Sequence, residues 1–161
     1  MIEIQVLSPD DWALWRELRL AALAEAPYAF GSTLADWTGS GDQEERWRIR
    51  LELSGSYNLI AHLDGVPVGM ASGVPGEQPG HTELISMWVS PAGRGKGVAA
   101  ALIEAVAAWS RTQGVPELRL MVADGNDAAI ALYRRCGFKE TGHVQPMPDG
   151  ERGELEMALA L

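Results

Sequence analysis

The sequence predicts a single α/β domain, residues 1–161, built on a mixed, mostly antiparallel sheet of about seven strands with about four helices. Three observations carry this expectation. Two β-rich runs flank Asp64-Gly65, a dipeptide suited to a type I′ hairpin turn. An apolar run at 81–89 is followed by a glycine-rich turn, an alanine-rich helical pattern and another β-rich run at 117–123, the order of a right-handed crossover unit. The chain has 161 residues and shows neither an internal repeat nor a low-complexity linker, which suits one core.

Taken in order, residues 2–7 alternate at period two and are read as a strand. Ser8-Pro9-Asp10-Asp11 then supplies an N-cap, a proline at the first helical position and acids in the first turn, so a helix runs to about residue 25, where Pro27 ends it. Trp15, Leu18 and Ala22 share its apolar face. The connection holding Tyr28, Phe30 and Trp37 is aromatic and either walls a substrate or simply packs. A second helix is expected over 42–53, with Glu44, Glu45, Arg46, Arg48 and Arg50 on its exposed sides. Strands follow at 57–63 and 66–72, and Pro67, which cannot donate to a ladder, requires an edge or a bulge. On a regular strand over 81–89, Glu83, Ile85, Met87 and Val89 face one way and Leu84, Ser86 and Trp88 the other. The helix over 97–113 turns Val98, Ala101, Leu102, Ala105, Val106 and Trp109 to the sheet and stops at Gly114 and Pro116. After the strand at 117–123, Asn126 caps a short helix over 127–136 that Gly137 ends. Residues 138–145 and 153–161 close the sheet as an antiparallel pair around the loop from Met147 to Arg152.

Composition narrows the partners. Twenty-two acidic against 13 basic residues give a formal charge of -9, which disfavours nucleic acid and anionic membranes and favours cationic partners such as amines. The one cysteine, Cys136, forms no internal disulfide, and three scattered histidines, His62, His81 and His143, lack ligand spacing, so no metal is expected. The N-terminus lacks a basic start and an apolar core, and no run reaches the ~18 apolar residues of a spanning helix, so a cytoplasmic location is expected.

Chemistry concentrates in two segments. In Val89-Ser90-Pro91-Ala92-Gly93-Arg94-Gly95-Lys96-Gly97-Val98-Ala99 a strand gives way to glycines and then to a helix start, where unsatisfied amides and the helix dipole attract phosphate. Arg94 can fork onto an anion and Lys96 adds a point charge. No Gly-Lys-Ser/Thr closes the loop and it does not open the first strand, so it matches neither a nucleotide P-loop nor a dinucleotide fingerprint. Arg94-Gly95-Lys96-Gly97-Val98-Ala99 matches Arg/Gln-x-x-Gly-x-Gly/Ala, and in this it resembles the acyl-CoA pyrophosphate loop of the GNAT acetyltransferase superfamily. The segment from Asn126 through Tyr133 to Gly137-Phe138 resembles the second hallmark of that superfamily, Asn-x-x-Ala-x-x-x-Tyr-x-x-x-Gly-Phe. The resemblance extends over residues 65–161, whereas residues 1–56 follow the family in outline.

The resemblance implies an N-acetyltransferase that uses acetyl-CoA as cosubstrate, with strands 81–89 and 117–123 splayed to hold the pantetheine arm. It implies that Met87 and Val89 offer backbone groups to that arm, with the Met87 amide near the thioester oxygen. It assigns the pyrophosphate to Arg94, Gly95, Lys96, Gly97, Val98 and Ala99. Asn126 either touches the pantetheine or caps its helix, and its side chain has atoms enough for both. The resemblance also implies that Tyr133 protonates the leaving thiolate. A neutral amine is needed for attack and amines have pKa values near ~10, so a base is required. Glu83 is the candidate, with His81 the alternative. Cys136 ends a helix, where the dipole disfavours thiolate, so a covalent cysteine route is not expected. The acceptor is expected to be the amine of a small molecule or peptide, and a homodimer is compatible with the family. A catalytically silent acyl-CoA-binding domain is the rival reading, and a nucleotide-binding module a third. Tyr133 favours the enzyme, because a silent binder has no use for it.

Overall fold

A computed structural model describes residues 1–26, 33–146 and 153–161. Tyr28 and Phe30, on the connection read above as either a substrate wall or a packed loop, fall outside the described residues, as do Pro27 and the loop from Met147 to Arg152. The strands are β1 (Ile2–Val6), β2 (Tyr57–Leu63), β3 (Val66–Pro75), β4 (His81–Val89), β5 (Glu117–Ala123), β6 (Lys139–Pro146) and β7 (Gly153–Ala160). The helices are α1 (Trp12–Glu25), α2 (Glu44–Leu51), α3 (Val98–Thr112) and α4 (Asp127–Arg135). All strands join one seven-stranded sheet in the order β1-β2-β3-β4-β5-β7-β6. Among the described residues only the central β4–β5 pair is parallel; the remaining neighbours run antiparallel, so the fold class is as expected. Among the described residues no helix is long and apolar enough to cross a membrane.

Local signals set most boundaries. Before α1, the Ser8 amide donates to the Asp11 carboxylate at 2.8 Å and a short tight turn at Pro9–Asp11 precedes the helix. Asp64 and Gly65 both have positive φ, 51° and 83°, as a type I′ hairpin needs. Pro67 sits at a bulge: Ala61 pairs with Gly69 but His62 with Pro67, so β3 carries an extra residue and the missing amide leaves the ladder intact.

Three expectations require correction. The second helix is shorter, Glu44–Leu51, and Arg50 turns inward from it rather than to solvent. In α3, Ile103, Ala107 and Ser110 are buried with Val98, Leu102 and Val106, whereas Ala101, Ala105 and Trp109 lie at the margin. The helix is sunk deeper into the sheet than a single stripe requires, and Trp109 stacks on Tyr57 with ring centroids 5.4 Å apart. β4 is not regular. Met70 pairs with Trp88 and Ser72 with Ile85, so three steps on β4 oppose two on β3. Ser86 holds a left-handed φ of 54°, and the inserted residue inverts the alternation beyond it. Leu84 therefore packs with α3 and Trp88 with the opposite face, although a regular strand puts them together. The closing strands β6 and β7 pair antiparallel as expected, and β7 lies between β5 and β6, so the pair also builds the second edge of β5.

Candidate active site

β4 and β5 pair only at His81, Thr82 and Glu83, opposite Glu117, Leu118 and Arg119, and then separate. The gap beyond that point opens a cavity of about 810 Å³ between the end of β4, the turn leading into α3, the end of β5 and α4. Its walls include Met87, Val89, Arg94, Gly95, Gly97, Val98, Ala99, Asn126 and Tyr133. Two segments read as separate motifs thus converge on one space. Lys96 is exposed beside it, and neither Glu83 nor His81 is among the residues that line it.

The turn at the α3 end is shaped by glycine. Gly95 and Gly97 have φ of 74° and 83°, and a side chain at Gly95 would meet only open space. Gly97 is the N-cap of α3, and the helical ladder begins only with the Ala101 amide donating to the Gly97 carbonyl at 3.1 Å. The first-turn amides therefore lie at the cavity without helical acceptors, which fits a phosphate group. Gly93 has a different reason to be glycine, since a Cβ there would stand 2.9 Å from Val68 Cβ. Arg94 reaches back instead of outward: its Nε donates to the Val89 carbonyl at 3.1 Å and its Nη2 pairs with Glu25. Glu25 also accepts from Trp88 Nε1 at 3.3 Å, and both residues line the cavity.

On the other wall, the Asn126 side chain accepts from the Ala129 amide at 3.4 Å, so it caps α4 while facing the cavity. Tyr133 lies ~10 Å further along the same helix. It is 9% exposed and meets Phe138 edge-on at 5.8 Å. Burial, with a smaller contribution from nearby Cys136, pushes its hydroxyl up to about 12, so it carries its proton throughout the neutral range. Burial also raises the Cys136 thiol, a direction opposite to that of a nucleophilic cysteine. Glu83 and His81 form a pair at the closed end of the β4–β5 gap, with His81 Nε2 3.4 Å from Glu83 Oε1. Four steps of extended strand lead from Glu83 to Met87, ~13 Å before the bulge shortens it.

Sequence reasoning missed Glu25, Trp88, Ala129 and Leu132 as cavity residues. The last two were within reach, since they stand three and six residues beyond Asn126 on the helix face that also carries Tyr133. Glu25 carried no local signal, because it comes to the cavity only through the packing of α1 across the sheet.

The Acetyltransferase (GNAT) family matches residues 16–138, a span that includes every candidate residue above. The chain is 31% identical over 149 residues to aminoglycoside N(6')-acetyltransferase type 1 of Stenotrophomonas maltophilia, covering 88% of each protein. It is 33% identical over 97 residues, 58% of its length, to N-acetyltransferase family 8 member 2 of Rattus norvegicus, a longer protein of which it spans 42%. Among solved structures, the putative acetyltransferase yncA from Salmonella typhimurium, with its cofactor acetyl-CoA, superposes with a TM-score of 0.77 at 24% identity over 100% of this chain and 94% of that one. The family match over most of the chain and the identity to a relative of similar length make this protein a member of the GNAT acetyltransferase family, and hence an acyltransferase.

Proposed function

We propose that this protein transfers an acetyl group from acetyl-CoA to a primary amine of a small molecule or peptide, by direct attack in a ternary complex. The observation that carries this reading is the convergence of the Gly95–Gly97 turn, the end of β4 and the Asn126–Tyr133 face on one cavity. The residues present fit the cosubstrate. Bare amides and open glycines at the α3 end suit a pyrophosphate, and Met87, Val89, Val98 and Leu132 make apolar walls for a pantetheine arm. When bound, acetyl-CoA supplies an activated thioester carbonyl.

The chain's own groups then have distinct tasks. The backbone of Met87 and Val89 orients the arm, and the Met87 amide donates to the developing oxyanion. Tyr133 holds a proton in a buried setting and delivers it to the departing sulfur, for which its raised pKa keeps it available. Glu83, distant from Met87, accepts the amine proton through water rather than directly, with His81 Nε2 beside it at 3.4 Å. A single-domain, cytoplasmic enzyme accords with this reading.

The formal charge of -9 and the aminoglycoside acetyltransferase relative both support a cationic acceptor. A panel of aminoglycosides, polyamines and peptide amines with acetyl-CoA, read by thiol release, tests activity and acceptor together. Release that rises with one amine class is expected. CoA binding without release across the panel would favour the silent binder.

A further inference from the structure

Arg50 is a cation placed where none was expected. From α2 it passes under the helix to the face of the sheet opposite α3, with its guanidinium 5.0 Å from the centre of the Trp15 ring. It donates from Nη1 to Asn58 Oδ1 at 3.1 Å and from Nη2 to Ser72 Oγ at 3.1 Å and Ser86 Oγ at 3.2 Å. Ser72 Oγ in turn donates to Asn58 Oδ1 at 2.7 Å, and the Asn58 amide donates to the Leu51 carbonyl and to Ser56 Oγ. One guanidinium thus joins α2 to three consecutive strands, β2, β3 and β4. The acceptors recorded for it among the described residues are all uncharged, and burial brings its pKa down to about 10. An enclosed charge held only by neutral oxygens is an expensive way to secure a fold, since an apolar side chain of similar length would pack there at less cost.

The network ends at the one position of β4 that a serine does not adopt readily. Ser86 has φ 54°, and Asp64 in the hairpin turn is the only other non-glycine residue with positive φ among those described. A left-handed serine outside a turn needs something to hold it. Beyond Ser86 the alternation of β4 inverts, and the next residue is Met87, which lines the cavity. We propose that Arg50 is a positioning residue that pins the Ser86 bulge through the Ser86 hydroxyl and thereby aims the Met87 amide into the cavity. This rests on the acetyl-transfer reading for its kinetic consequence, but the geometric link between Arg50, Ser86 and the direction of β4 stands apart from it.

Glycine supplies the test, because it takes a left-handed φ without a pin. Ser86→Ala removes the hydroxyl and keeps the strain, so kcat should fall about tenfold, the scale of a small misplacement, while KM for acetyl-CoA changes less than about threefold. Ser86→Gly should retain parental kcat. Arg50→Met should lower kcat by about 10- to 100-fold, and Ser86→Gly in that background should restore most of it. The amide resonance of Met87 in a 1H–15N spectrum provides a readout without substrates: displaced in Ser86→Ala and Arg50→Met, and returned by glycine. If Arg50→Met does not fold, the two Ser86 variants decide alone. Parental kcat and a parental Met87 resonance in Ser86→Ala overturn the proposal, as does an Arg50→Met deficit that glycine leaves untouched. Should the parental protein transfer acetyl to no amine, the proposed reaction fails, and the resonance still decides the role of Arg50.

Discussion

The two faces of the sheet are built in different chemistry. Beneath α3, Leu59, Val68, Ala71, Leu84, Leu118 and Leu120 meet Val98, Leu102 and Val106 in a continuous apolar layer. Within it Thr82 Oγ1 donates to Ser110 Oγ at 2.7 Å, and Ser110 Oγ donates to the Val106 carbonyl at 2.9 Å. Beneath α1 and α2, Trp15, Trp47, Ile60, Met70 and Trp88 surround a polar interior that contains Arg50, Asn58 and Ser72. Arg19 lies in the same region, and burial together with the charge of Arg50 brings its pKa down to about 10. Apolar packing is non-directional and tolerates small shifts, whereas hydrogen bonds fix angle as well as distance. The α3 face supplies cohesion, and the α1–α2 face sets the course of the strand that enters the cavity.

Substitutions separate these contributions. The largest effect is expected at Tyr133, which packs in the α3-face cluster and lines the cavity. Tyr133→Phe should cut acyl transfer by about 10² to 10⁴ while CoA affinity and Tm barely move, and a donor with a more acidic thiol should lose less. Equal turnover in steady-state assays, with chemistry rate-limiting, would make the phenol structural. Leu102→Ala, on the apolar face, is fully buried and should cost about 2–5 kcal/mol in denaturant unfolding, with kcat per folded molecule unchanged. A loss of kcat there would erase the distinction between the faces. Gly97→Asp imposes a side chain on a left-handed N-cap and a carboxylate on the proposed anion site, so calorimetric affinity for CoA should fall by about 10- to 100-fold.

Smallest is a pH effect on the α1–α2 side. Asp42 accepts from Arg16 at 2.7 and 2.5 Å and from Trp47 Nε1 at 2.8 Å, and the Arg16 bonds first, then that from Trp47, hold its carboxyl down at about 2. A depressed carboxylate contributes stability above its unfolded pKa of ~3.9 and loses it as pH falls through about 2. Tm should therefore decline over that window, and Asp42→Asn should flatten the decline. An unchanged slope would show that the Arg16–Asp42–Trp47 link is not coupled to folding.

Much of this architecture was legible because its signals are local. β4 and β5 span the residues read from hydrophobic runs and their punctuation, and Asp64-Gly65 turns as its composition requires. The cavity was legible for a similar reason: each motif carries its own glycines, cap or aromatic within a dozen residues. The bulge was not, since no residue near Ser86 announces positive φ and the inversion is defined against β3. Arg50 was misread because its charge was taken to outweigh its position, although it stands three residues from buried Trp47 and beside buried Leu51. A long arginine stem can follow an apolar face inward, provided polar atoms from distant strands meet its head. Glu25 illustrates the same limit, as its partners Trp88 and Arg94 are 63 and 69 residues away.

The place of β7 bears on how the cavity comes into being. β5 pairs with β7 along its whole length, from Glu117 opposite Ala160 to Ala123 opposite Glu154, whereas it meets β4 at three positions only. A chain emerging in order makes β6 before β7, yet β6 has no place beside β5 until β7 has slotted between them. Between the emergence of β5 and that of β7, then, the far wall of the cavity is a strand anchored on one side at three residues. Its edge stays open to any other extended segment. The contacts that close it join residues more than thirty apart, the kind whose loop entropy must be met before they give anything in return, so they are expected among the slow steps of folding. An acyltransfer cleft assembled this way becomes competent late, after the helices and the β1–β4 meander have already taken shape.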